Sequence, residues 1–151
     1  MQSTKAKKDG NADYSVALNG NTKFFTQGDH SNDTWQAAAQ KQAKLAGEAI
    51  SGWVGYGDAV DFIKFQLDGA GQVKLTLDNA TAGELAAKKI KLSCLDANGK
   101  SVAIALDKND PHTLLSKKAV NGGEFYLGVT CANVKKYDSN YSITTGLLAA
   151  V

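Results

Sequence analysis

Two aspartates, Asp58 and Asp61, stand three positions apart in the phrase Gly55-Tyr56-Gly57-Asp58-Ala59-Val60-Asp61. Glycines at 55 and 57 let the backbone turn sharply, so both carboxylates can point at one ion. A hard cation such as calcium requires such convergence, because it takes about six to eight oxygen ligands. The competing reading is structural: aspartates in glycine-rich turns also accept hydrogen bonds from nearby backbone N–H groups and merely close the turn.

The remaining reactive residue types carry less. His30 and His112 are far apart in sequence and accompany neither a GxSxG nor an HExxH pattern, so they read as surface histidines. Glu48, Glu84 and Glu124 are the only glutamates, and none has a sequence neighbour that marks a general acid. A hydrolase would need a clustered acid-base or nucleophile site that is not visible here. Cys94 and Cys131 form no CxxC pair and have no histidine nearby, which argues against zinc. Both fall on inward faces. They fit either a disulfide, if their Cα atoms come within about 7 Å, or two buried thiols. Trp35, Trp53, Tyr56 and Tyr126 fit either an exposed platform for glycan or peptide, or packing within and against the sheets.

All 17 basic residues are lysines, against 15 acidic ones, for a net charge of +2. Without the arginine fork that reads phosphates and guanines, a nucleic-acid role is disfavoured. The lysine clusters at Lys88, Lys89 and Lys91, at Lys117 and Lys118, and at Lys135 and Lys136 read as solvated faces and guards on sheet edges. No apolar run is long enough to span a bilayer. Met1–Gly10 is polar and lysine-rich with no apolar stretch behind it, so no export signal is legible, as for a piece excised from a longer protein.

The elements that must position these residues are mostly short and alternating. Residues 1–12 have no hydrophobic period and read as a tail. Tyr14–Leu18, the pair Asn19-Gly20 and Thr22–Phe25 predict a β-hairpin with a type I′ turn. Asp33–Ala46 is rich in helix formers, with Asn32 or Asp33 as N-cap and Gly47 as the stop, and predicts a helix. From Trp53 onward strands are expected. One places Ile63, Phe65 and Leu67 on one face, and the next does so with Val73, Leu75 and Leu77. Ile90, Leu92 and Cys94 point inward, and Asp96–Gly99 turns the chain into a hairpin with Val102, Ile104 and Leu106. A short run at Leu114 and Leu115 follows, then Phe125, Leu127, Val129 and Cys131 on one face, then Tyr141, Ile143 and Thr145. The expectation is an all-β, jelly-roll-like antiparallel β-sandwich of about eight to nine strands, with a short helix in the N-terminal segment.

Four phrases, Gly52–Phe62 (GWVGYGDAVDF), Leu95–Lys100 (LDANGK), Gly123–Val129 (GEFYLGV) and Tyr141–Ile143 (YSI), resemble in order and spacing the bacterial pre-peptidase C-terminal domain family. The resemblance covers roughly residues 29–146 and leaves residues 1–28 as a tail with a hairpin, so the sandwich domain is expected over 29–151. It implies a jelly-roll-like sandwich of the kind found beside secreted proteases, collagenases and large repeat-containing surface proteins. In members that bind calcium, an Asn-Asp pair and two aspartates three apart supply oxygens, and the matching positions are Asn32, Asp33, Asp58 and Asp61. Glutamates usual ahead of that pair are replaced by Gly28, Asp29 and His30, which implies weaker binding or a site completed by Asp29 and backbone carbonyls. The resemblance also wants a linker or strand where local propensity wants the helix, so calcium at its start is expected to decide the conformation of that segment.

These readings imply a non-catalytic calcium-binding accessory domain of a secreted or cell-surface bacterial protein. Its partners would be neighbouring domains, with a glycan or extracellular protein as a further ligand. The alternative is a dedicated carbohydrate- or protein-binding module, since a sandwich does not decide function.

Overall fold

The computed structural model describes residues 30–149. The hairpin expected over Tyr14–Phe25, the tail before it, the domain boundary near residue 28, and Asp29 lie outside the described residues.

Among the described residues nine strands form two sheets. They are β1 (Lys44–Leu45), β2 (Ala49–Val54), β3 (Val60–Leu67), β4 (Gly71–Leu77), β5 (Ile90–Asp96), β6 (Ile104–Leu106), β7 (Thr113–Ser116), β8 (Gly123–Cys131) and β9 (Ser139–Ala149). A four-stranded sheet runs β1-β3-β8-β5 and a five-stranded sheet runs β2-β9-β4-β7-β6. Only the β6–β7 connection stays within one sheet. The inner faces of the two sheets therefore belong to one core. It joins Phe65, Leu67, Ile90, Leu127 and Val129 from the first sheet to Ile50, Val73, Leu75, Leu114 and Ile143 from the second. This is the expected all-β sandwich, with the alternation read from β3, β4, β8 and β9 setting which side chains face inward.

Several local expectations are corrected. The sandwich is not wholly antiparallel, because β1 pairs with β3 in parallel, Lys44 opposite Phe65 and Leu45 opposite Gln66. The helix expected over Asp33–Ala46 shrinks to α1 (Trp35–Ala39). Neither Asn32 nor Asp33 caps it; Thr34 Oγ1 accepts from Ala37 N at 3.1 Å. Trp35 and Leu45, the only large apolar residues of that segment, stand ten apart, so a full-length helix would have no apolar stripe to bury. Short helices are marginal alone, and pairing Lys44 and Leu45 to the edge of β3 wins. What remains of the helix lies on the outer face of the first sheet, with Ala38 buried and Lys64 Nζ donating to Ala39 O at 2.9 Å.

The hairpin expected after Asp96–Gly99 begins and then leaves. Leu95 pairs with Ser101, and Val102 N donates to Cys94 O, but Ile104–Leu106 pairs with β7 in the other sheet. There it is an edge strand, and Leu106, expected inward, is 55 % exposed. Cys94 sits opposite Leu127 and Cys131 opposite Ile90, four residue positions apart along β5 and β8. At about 3.4 Å per residue that exceeds the reach of a disulfide. Both thiols are free, and burial pushes Cys94 up to about 12.

One helix was not anticipated. α2 (Asn79–Ala86) bridges β4 to β5 and packs on β9, with Thr81 fully buried and exchanging hydrogen bonds with the Ser142 backbone. Its signal was Asp78, whose Oδ1 accepts from Thr81 N at 2.8 Å as N-cap. That bond holds the Asp78 carboxyl below its ordinary range, against the opposing effect of burial. Asp78→Ala is expected to cost about 1 kcal/mol in urea unfolding at neutral pH. Because the folded value is depressed, the contribution is present above the unfolded carboxylate value of about 3.9 and is lost as pH falls through the folded value. The gap between wild type and variant should therefore close on acidification. A gap that persisted in acid would assign the loss to something other than the ionised cap.

Among the described residues no helix is long and apolar enough to cross a membrane.

Candidate metal site

The site sits where β2 turns into β3. Gly55 N donates to Asp58 O at 2.7 Å and Asp58 N to Gly55 O at 3.1 Å, closing a tight turn whose third residue, Gly57, has φ +86°. That conformation favours glycine, which is why the turn can return so sharply and bring Asp58 inward. Two residues later β3 begins, and Asp61 falls on the same side as Ile63, Phe65 and Leu67. The alternation that builds the core thus points a carboxylate into the mouth of the sandwich. Asp58 and Asp61 are 3 % and 4 % exposed.

The opposite sheet answers this carboxylate. Tyr141 OH, on β9, donates to Asp61 Oδ2 at 2.5 Å, joining the two sheets across the mouth. To reach it the ring crosses Gly52, its partner in the β2–β9 register. A Cβ at position 52 would lie 2.4 Å from the Tyr141 oxygen and 2.6 Å from its Cζ. Neither Gly52 nor Tyr141 was singled out from the sequence as a site residue. The available signal was a glycine inside a strand, which marks a close approach by another group.

Upstream, a single 3-10 turn, His30–Asn32, supplies the third side chain. Asn32, Asp58 and Asp61 line one pocket of about 530 Å³ together with Ser51, Gly52, Trp53, Ile63, Asn140 and Tyr141. Asn32 Oδ1 is buried and accepts no hydrogen bond. Asp33 stands beside the pocket rather than in its lining. Its Oδ2 meets His30 Nδ1 at 2.7 Å, while its Oδ1 is buried and accepts no hydrogen bond. Three of the four residues matched by sequence therefore converge, and the fourth is adjacent to one of them.

The side-chain oxygens that line it are those of two carboxylates, the amides of Asn32 and Asn140, and the hydroxyls of Ser51 and Tyr141. That composition suits a hard cation and is poor for zinc or copper. Among the described residues no group of three or more His, Cys, Asp or Glu converges on one point, so the charge at the site comes from two aspartates. Neither histidine lines the pocket: His30 is on Asp33, and His112 stands just before β7, its backbone N–H on Asp110.

Of the four aromatics weighed as a platform, Trp53 and Tyr126 are buried, and Trp35 packs on Tyr126 with ring centroids 5.4 Å apart. Only Tyr56, at 62 % exposure, presents its ring to solvent.

No family model and no curated protein matches the chain. Among solved structures it is similar to the pre-peptidase C-terminal domain of a collagenase from Bacillus anthracis. The identity is 14%, the match covers 70% of this chain and 98% of that one, and the TM-score is 0.44.

Proposed function

We propose that this chain is a non-catalytic accessory domain of a secreted or cell-surface bacterial protein, and that it binds calcium through Asn32, Asp58 and Asp61 with Asp33 beside them. One observation carries the ion: segments 26 and more residues apart in sequence bring an amide oxygen and two buried carboxylates to one pocket, and the amide oxygen has no hydrogen bond. A buried acceptor left unsatisfied costs about 1–3 kcal/mol, and a bound cation would remove that cost. Calcium would supply charge neutralisation and a cross-link. The chain's own residues tie the β2–β3 turn, β9 and the turn before α1 to one point. The expected role is to stiffen the mouth of the sandwich and so orient neighbouring domains. The location outside the cell and the adjoining domains rest on the sequence resemblance.

Calorimetric titration of the full chain tests this. With two carboxylates the expected Kd is about 10⁻⁴–10⁻³ M, the range of extracellular modules. At a hundredfold excess over Kd the melting temperature should rise by the equivalent of about 2.7 kcal/mol. Asp58→Ala and Asp61→Ala should each weaken binding and forfeit the rise. Absence of both heat and thermal shift in the parent chain would end the calcium reading.

A further inference from the structure

We propose that the face formed by the end of α2, the start of β5 and the turn between β8 and β9 binds a linear polyanionic glycan. In the sequence the lysines of this face belong to two separate clusters. In the structure Ile90 pairs with Cys131 and Ala132 N donates to Lys89 O, which lays segment 88–91 alongside the 133–137 turn. Lys89 Nζ and Lys136 Nζ both lie over the Tyr137 ring, at 5.9 and 5.4 Å from its centroid. Lys88, Lys91 and Lys135 belong to the same two segments and are exposed. The nearby acidic groups are Glu84, 3.6 Å from Lys89, and Asp138, which follows Tyr137. Five ammoniums against two carboxylates leave a local excess on a chain whose overall charge is only +2.

The face is also held in shape. Tyr137 N and Lys136 N donate to Asn133 O, Lys135 N donates to Asn133 Oδ1, and Cys131 Sγ donates to Tyr137 O. Lys88 sits at φ +60°, where Lys88 N donates to Leu85 O and Lys89 N to Glu84 O. This is the left-handed position closing α2, one that usually holds glycine. A lysine there adds charge at a place where backbone conformation alone would favour another residue.

The chemistry of the patch selects among polyanions. Lysine is a point charge without the bidentate fork that reads bases, and the Tyr137 ring is already occupied by two ammoniums, so stacking of a nucleobase is disfavoured. An anionic membrane surface usually adds apolar insertion to charge, yet the large exposed apolar side chains, Leu45, Tyr56, Leu106 and Leu148, all lie in other segments. A flexible chain of sulfates or carboxylates needs only spaced cations.

The test is binding of the full chain to heparin, a sulfated glycan, and to polygalacturonate, a carboxylated one, across a salt series. The variants are Lys91→Glu/Lys135→Glu and, as a control of equal charge, Lys117→Glu/Lys118→Glu in the loop that follows β7. Binding to either glycan that weakens with salt, and falls about tenfold or more in the first variant but about twofold or less in the control, is the expected result. Which glycan binds assigns sulfate or carboxylate. Equal loss in both variants, no binding to either glycan, or tighter binding to a single-stranded oligonucleotide or to phosphatidylglycerol vesicles overturns the proposal. The four lysines are exposed with no ion-pair partner among the described residues, so the variants are expected to keep the parent melting temperature.

Discussion

Phe65→Ala is expected to destabilise the domain by about 3–5 kcal/mol, the largest effect of any single substitution considered. Phe65 is fully buried in the middle of β3 and faces Phe125 across the strand pair, ring centroids 5.8 Å apart and planes 27° from parallel. Truncation removes the ring's transfer energy and its partner contact, and leaves a cavity between two sheets that strand pairing keeps apart. A domain of this size carries about 5–15 kcal/mol in total, so about a fifth or more of its stability is at stake. Urea unfolding should show a lower midpoint with an unchanged slope. A loss below about 1 kcal/mol would mean that the ring is not sandwiched between the sheets.

Gly52→Ala should have the next largest effect, about 2–4 kcal/mol, although it adds only one methyl group. The β2–β9 register fixes both backbones, so the new Cβ, 2.4 Å from the Tyr141 oxygen, can be accommodated only by moving the ring. Moving it breaks the buried hydrogen bond to Asp61. A drop of the order of 10 °C in melting temperature is expected. Tyr141→Phe separates the two causes, because it keeps the ring over Gly52 and removes only the hydroxyl, at a cost of about 1–3 kcal/mol. In the double variant the second change should add little, since the bond is already gone. An unchanged melting temperature for Gly52→Ala would show that the ring does not cross β2. If calcium binds as proposed, Gly52→Ala weakens it too, by releasing Asp61 from its orientation.

The core was legible because alternation is a local property. Ile63, Phe65 and Leu67, or Phe125, Leu127 and Val129, declare a buried face with no knowledge of the partner strand, and the structure buries or half-buries each of them. The same alternation held at Val102 and Ile104, which pack against the core, and was misleading at Leu106, because whether an apolar residue is covered depends on what lies beyond the sheet edge. Asp33–Ala46 failed for a related reason: helix propensity is summed locally, whereas the parallel pairing of Lys44 and Leu45 with β3 is made by residues some twenty positions away. The α2 helix was missed although its cap, Asp78, was present. Its residues carry little amphipathic pattern, and its stability comes from Thr81 and the Ser142 backbone, 61 residues on.

The candidate site divides in the same way. Residue type and spacing alone identified Asp58 and Asp61 as a pair in a glycine turn, and the family resemblance added Asn32 and Asp33. Tertiary structure decided that Asn32 reaches their pocket, that Asp33 stands beside it, and that Tyr141 lies across Gly52 to meet Asp61. It likewise merged two lysine clusters into one face. By itself the sequence determined which side chains are apolar, which carry charge and where the chain can turn. Which of them meet is set by crossing between sheets at nearly every connection, and those pairings are stabilised only when the whole core closes, so no local window of the chain contains them.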